Sequence, residues 1–201
     1  MSSIEKWNSD AHASHYAKKR WKSTRAAGRD PAITAKLLER HGVQGPVLDV
    51  PCGTGRLTST LREHATAVYG ADVSREMLEH ATGPRVAASA DRLPFRDAAF
   101  DVVVSCRLLH HVHDSDRRTQ ILSELCRVSS RLVIGSFWDA ASWHAFRRRV
   151  GLRRDEGPRG RRAVERSQLV RELRTAELEP IEFRYSFRFI SQQAFFVARK
   201  A

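Results

Sequence analysis

Asp49 sits in the apolar run VLDV, Gly53 and Gly55 follow it in the turn PCGTGR, and Asp72 ends the next apolar run, AVYGAD. A turn that lets a ligand come close to the backbone needs residues without a Cβ, and glycine meets that need. An acid at the end of the following strand can accept hydrogen bonds from both hydroxyls of a ribose. Together these residues point to a cofactor that carries a nucleoside.

Their neighbours narrow the choice. A dinucleotide fingerprint requires Gly or Ala three residues after Gly55, where Thr58 stands. No Gly-Lys-Ser/Thr follows the turn, which excludes a nucleotide phosphate loop. Asp49 would repel a pyrophosphate but suits a ligand with a cationic ammonium or sulfonium group.

These residues need a frame of strands. Apolar runs alternate with helical patterns from about residue 30. DPAITAKLLERHG offers Asp30 as an N-cap and Gly42 as a stop. VLDVPC, AVYGADV, RVAASAD, FDVVVSC and RLVIGSF read as five strands, and PIEFRYSFRFIS with QQAFFVARK as two more. Between them GRLTSTLREHA, SREMLEHAT capped by Ser74, SDRRTQILSELCRVS and SQLVRELRTAEL capped by Ser167 read as helices. Short apolar strands alternating with helices predict an α/β fold with a mostly parallel sheet covered on both faces. The last two strands have no helix between them and are expected to form an antiparallel hairpin at its edge.

With 201 residues the chain is expected to form a single domain. Residues 1–29 form a basic N-terminal arm, 30–137 the core, 138–166 an Arg-rich segment, and 167–201 the closing helix and hairpin. No membrane span or secretory leader is legible. Cys52, Cys106 and Cys126 are odd in number and lie far apart, so neither a disulfide framework nor a metal cluster is expected, and a cytoplasmic protein is. The net charge of +12 is carried largely by arginine. It is explained either by codon bias or by an anionic partner such as RNA, a phosphorylated metabolite or a membrane surface. Oligomeric state leaves no mark in the sequence.

VLDVPCGTGR, ADVSREML, SADRLPFRDAAFDVVVSCRLLHHV and RLVIGSF, in this order over roughly residues 45–137, resemble the motifs of class I S-adenosylmethionine-dependent methyltransferases, above all the metal-independent methyltransferase type 11 group. The resemblance implies a Rossmann-like, doubly wound, seven-stranded sheet and S-adenosyl-L-methionine as cofactor. It implies that Asp49, Gly53 and Gly55 line the methionine moiety and that Asp72 holds the ribose. Val73 and Met77 would flank the adenine, Asp91 would accept from its exocyclic amine, and Ser105 to Arg107 would face the reacting centre. Two departures stand out: Pro51 replaces the first glycine of the usual loop, and VSSR replaces the usual Pro-Gly-Gly turn before the fifth strand.

Methyl transfer from a sulfonium is an in-line displacement, for which positioning can supply about 7–11 kcal/mol. A general base adds about 10²- to 10⁴-fold where the nucleophile must lose a proton. His110 and His111, directly after the fourth strand, are the candidates for it; packing of one ring and backbone bonding of the other is the alternative. His113 is expected to face solvent, and Cys52 to fill space rather than react. Tyr16, Arg20 and Arg29 lie in the N-terminal arm; the resemblance implies either that the arm closes over the cofactor, an arginine pairing with its carboxylate, or that it is a solvated basic segment.

CRLLHH stands where amine-methylating enzymes of adenine and glutamine carry (Asp/Asn)-Pro-Pro-(Tyr/Phe). By elimination, the expected acceptor is an oxygen or carbon of a small molecule, anionic or aromatic. Trp138, Trp143, His144 and Phe146, followed by the arginine run, could stack a ring and hold phosphates, or form a helix with packed aromatics and solvated arginines. An RNA methyltransferase and a non-catalytic cofactor-binding module are the alternatives.

Overall fold

The computed structural model describes residues 29–141, 162–185 and 193–201. Tyr16, Arg20, Trp143, His144 and Phe146 lie outside the described residues, as do nearly all of the arm and most of the Arg-rich segment.

Helix α1 (Arg29–His41) precedes strand β1 (Val47–Asp49), and α2 (Thr58–Arg62) leads to β2 (Val68–Asp72). Then follow α3 (Arg75–Glu79), β3 (Arg85–Ala87), β4 (Phe100–Ser105) and a 3₁₀ turn (Leu109–His111). Helix α4 (Ser115–Val128) runs straight into β5 (Ser129–Trp138), and α5 (Arg166–Thr175), β6 (Leu178–Tyr185) and β7 (Gln193–Lys200) close the chain. The seven strands form one sheet in the order β3-β2-β1-β4-β5-β7-β6. β1 to β5 pair in parallel, while β7 pairs antiparallel with both β5 and β6. The expected hairpin is therefore present, with β7 inside it and β6 at the edge.

Alternation along the strands sorts side chains to two faces. Val47, Val102, Val104, Ile134 and Val197 pack with Leu37 and Leu38 of α1, with Leu61 of α2 and with its N-cap Leu57. Leu48, Val103, Val133 and Phe196 pack on the other face against Ile121, Leu122 and Leu125 of α4 and Leu169 and Leu173 of α5. Helices on both faces make the sheet doubly wound. Strand order reverses between β1 and β4, so a crevice opens at their carboxyl ends, where such sheets take their ligands.

Two capping expectations are corrected. Asp30 lies within the first turn of α1 and is buried, ion-paired with two arginines rather than capping the helix. α5 begins at Arg166 with Glu165 as its N-cap, so Ser167 is already inside the helix. Ser74 does cap α3, accepting the Met77 N–H, and Gly42 ends α1 with φ +61°. The VSSR replacement joins α4 to β5 with no intervening loop, Ser129 serving as both C-cap and first strand residue.

Candidate active site

Parallel pairing sets Asp49 level with Gly70 of β2 and Val104 of β4, so β1 stops where its neighbours continue. The chain beyond it, from Val50 to Arg56, forms the floor of the crevice. It stays pinned to both neighbours through the Val50 N–H to Val104 O and the Cys52 N–H to Ala71 O, each at 2.9 Å. Val50–Pro51 is a cis peptide. Gly53 and Gly55 adopt φ +55° and +79°, and a Cβ on Gly55 would stand 3.0 Å from Thr58 Oγ1. These two positions need glycine for the turn itself.

Asp49 is buried, and neither carboxylate oxygen has a hydrogen-bond partner among the described residues. Burial pushes its carboxyl up to about 8; Arg56 opposes the rise and Asp72 adds to it. A buried acid of this kind is costly to keep, and such groups cluster at functional sites. Asp72, at the end of β2, accepts the Gly53 N–H on Oδ2 at 2.8 Å and the Ser74 N–H on Oδ1 at 2.9 Å. Burial raises its carboxyl, and these backbone donors work against the rise. The Val73 N–H also acts on this carboxylate, which has about four acceptor sites in all and so keeps capacity for a further donor.

Val73 is half-buried and Met77 buried, side by side at the start of α3. Asp91 lies in the turn bridged by Ser89 and Arg92, with Arg117 Nη2 3.4 Å from its Oδ2. Ser105 ends β4 with its hydroxyl buried and without a hydrogen-bond partner among the described residues. The thiols of Cys52 and Cys106 are both pushed up by burial, Cys106 to about 11, which keeps them neutral and suits the filling role.

His110 is buried, its ring stacked on Trp138 with centroids 4.8 Å apart and planes within 8°. His111 is half-buried, its ring centroid 4.2 Å from that of His110. His113 is exposed, as expected. Trp138 ends β5, and its carbonyl accepts the Val164 N–H at 2.7 Å. Among the described residues no cluster of three or more His, Cys, Asp or Glu is placed to hold a metal ion.

One ion-paired group has no local signal in the sequence. Asp30 Oδ2 lies 3.0 Å from Arg56 Nη1 and 2.7 Å from Arg107 Nε, so α1 is fastened to the turns after β1 and β4. Arg107 has φ +67°, rare for a non-glycine residue, and its N–H donates to Ser136 Oγ at 2.8 Å. Arg56 and Arg107 stand in the stretches singled out from sequence, but nothing local marks Asp30 as their partner.

Residues 48–131 match the methyltransferase domain family. Demethylmenaquinone methyltransferase of Thermobifida fusca is 35% identical over 101 residues, 45% of this chain and 43% of that protein. The tRNA (carboxymethyluridine(34)-5-O)-methyltransferase of Arabidopsis thaliana is 31% identical over 122 residues, 59% of this chain and 28% of that protein. The chain thus spans less than half the length of these curated relatives. Among solved structures, magnesium protoporphyrin IX methyltransferase of Synechocystis PCC 6803 with bound SAH superposes with a TM-score of 0.69 at 16% identity. That superposition covers 88% of this chain and 85% of the other, and it establishes the shared fold.

Proposed function

Because the chain belongs to the methyltransferase type 11 group of the class I S-adenosylmethionine-dependent methyltransferases, we propose that it methylates an oxygen or carbon of a small molecule, anionic or aromatic. The observation that carries the cofactor half is Asp49, a buried acid at the carboxyl end of β1 whose two oxygens have no hydrogen-bond partner among the described residues. No pyrophosphate-binding site would place a carboxylate there, whereas an amino-acid ammonium satisfies it. The absence of the amine-gripping motif after β4 supports an oxygen or carbon acceptor.

S-adenosylmethionine, when bound, supplies an electrophilic methyl on a sulfonium. Asp49 would take its ammonium, and Gly53 and Gly55 would let its methionine moiety lie against the backbone. Asp72 would hold the ribose, Val73 and Met77 would flank the adenine, and Asp91 would accept from the adenine amine. Ser105, at the end of β4, would border the reacting centre. His111 is the better placed of the two histidines to receive an acceptor proton, because His110 is buried against Trp138. Orientation of the acceptor in line with the methyl is the main source of rate.

The test is incubation with methyl-labelled cofactor and a fractionated lysate. Label in the small-molecule fraction supports the proposal; label in RNA alone overturns the substrate half. A second reading, RNA methylation, has the net charge of +12 and the likeness to a tRNA methyltransferase in its favour. It requires RNA binding that weakens steeply with salt.

A further inference from the structure

We propose that Arg56 receives the carboxylate of the cofactor's methionine end, and that Asp30 and Arg107 hold it in position to do so. The inference rests on the cofactor reading above and adds a residue to it. Arg56 follows Gly55 directly, and its guanidinium reaches across the crevice to the end of β4, with Nη2 3.7 Å from Cys106 Sγ. Its Nη1 is buried and meets Asp30 Oδ2 as an ion pair, without an aligned hydrogen bond.

The charges around it do not balance. Two guanidiniums share one carboxylate oxygen, in side chains that are 31% and 21% exposed against 3% for Asp30. The neighbouring Cys106 thiol is neutral and offsets nothing. Among the described residues Asp49 is the other acid that acts on Arg56, and burial pushes its carboxyl up to about 8. Among the described residues one positive charge is left over in this partly buried cluster, and an excess charge withdrawn from water is costly unless a ligand neutralises it.

An amino acid carries an ammonium and a carboxylate on one carbon. Asp49 and Arg56 offer the matching opposite pair at the adjoining ends of β1 and β4. Arg107 is fixed by its backbone bond to Ser136 and by Asp30, so it anchors the acid rather than reaching for a ligand. Asp30 thereby acts as a positioning residue.

The experiment is calorimetric binding of S-adenosylhomocysteine and of its decarboxylated analogue S-adenosyl-3-thiopropylamine, which keeps the adenosine, thioether and amine. Arg56→Gln is expected to weaken S-adenosylhomocysteine by about 10- to 100-fold, the worth of a charge-assisted hydrogen bond. It should leave the analogue within about twofold of the wild-type value. Arg56→Lys should recover part of the loss, and Asp30→Asn should weaken S-adenosylhomocysteine while adding nothing on top of Arg56→Gln. Should Arg56→Gln misfold, the wild-type chain with the two ligands and the Lys variant still decide, since a carboxylate contact requires the analogue to bind more weakly. Equal losses for both ligands, or none for S-adenosylhomocysteine, overturn the assignment. If wild-type binding depends on Asp72 but not on Arg56, only this inference fails; if S-adenosylhomocysteine does not bind at all, the cofactor reading itself fails.

Discussion

The Asp72 carboxylate joins two separate turns, taking the Gly53 N–H at 2.8 Å on one oxygen and the Ser74 N–H at 2.9 Å on the other. It therefore fixes the glycine turn after β1 to the start of α3 while keeping lone pairs for a ligand. A single side chain thus ties together two turns of the crevice floor.

Asp72→Ala should consequently cost both binding and stability. Loss of two charge-assisted bonds to ribose lowers affinity for S-adenosylhomocysteine by at least about 100-fold. Leaving the Gly53 and Ser74 N–H groups unpartnered destabilises the fold by about 1–3 kcal/mol. Calorimetry and urea unfolding read the two effects separately. Undiminished affinity in the mutant would remove Asp72 from the site.

Asp49 makes binding pH-dependent. Its carboxyl, raised by burial to about 8 from an ordinary value near 4, is protonated in the empty site at neutral pH. Taking up an ammonium requires the ionised form, so binding should release up to one proton below about pH 8. Affinity should rise with pH up to that value and then level off. Calorimetry at pH 6.5 in two buffers of different ionisation enthalpy measures the release, which Asp49→Asn should abolish along with most of the affinity.

The same shift fixes the sign for stability. A raised folded-state pKa gives stability that is complete below about pH 4 and is lost as pH rises through about 8. Asp49→Asn escapes that loss, so at pH 8.5 the unliganded mutant should melt above the wild type. A gain of ~1 kcal/mol would appear as about 2–4 °C in a chain of this size. An unchanged or lower Tm would contradict the burial argument.

Much of this architecture is legible in the sequence because short apolar runs and turn residues are local signals. VLDV, FDVVVS and RLVIGSF could hardly be anything but strands buried on both faces, and their order with the intervening helices gives the sheet. Asp30 was not legible, because the partner that buries it stands 77 residues away, at the end of β4. Ser167 has the residue type of a cap but stands just inside the first turn, because the helix begins at Arg166 with Glu165 as its N-cap. The arginine excess also reads differently once partners are known. Arg118, Arg127 and Arg131 are tied to Glu172, Asp97 with Glu124, and Asp101, so part of the basic composition serves the fold.

The Arg118–Glu172 pair supports the 3₁₀ turn from below. Arg118 is 2% exposed, donates through Nε and Nη2 to both oxygens of Glu172, and through Nη1 to the carbonyls of Val112 and His113. Removing one partner leaves the other charge buried, a loss of about 3–5 kcal/mol. Arg118→Met should therefore unfold at markedly lower urea, and Arg118→Met combined with Glu172→Leu should recover most of the difference. If the double mutant is no better than the single one, the bonds to Val112 and His113 carry the stability instead.

His110 and His111 separate by what each variant changes. His110 is buried and stacked on Trp138, so His110→Ala removes packing and should lower Tm as well as rate. His111 is only half-buried, and His111→Gln keeps its volume and a hydrogen-bonding tip. If His111 takes the acceptor proton, this variant should lower kcat by about 10²- to 10⁴-fold with KM little changed. It should also abolish the fall in rate that protonation of an imidazole causes on the acid side of the pH profile. An acceptor that reacts as a carbon nucleophile or an already ionised oxygen needs no base, and His111→Gln would then leave both kcat and the profile intact. A pH profile of the two variants with the acceptor identified by labelling distinguishes these cases. A loss of kcat with the acid limb retained would mean that His111 orients the acceptor without accepting its proton.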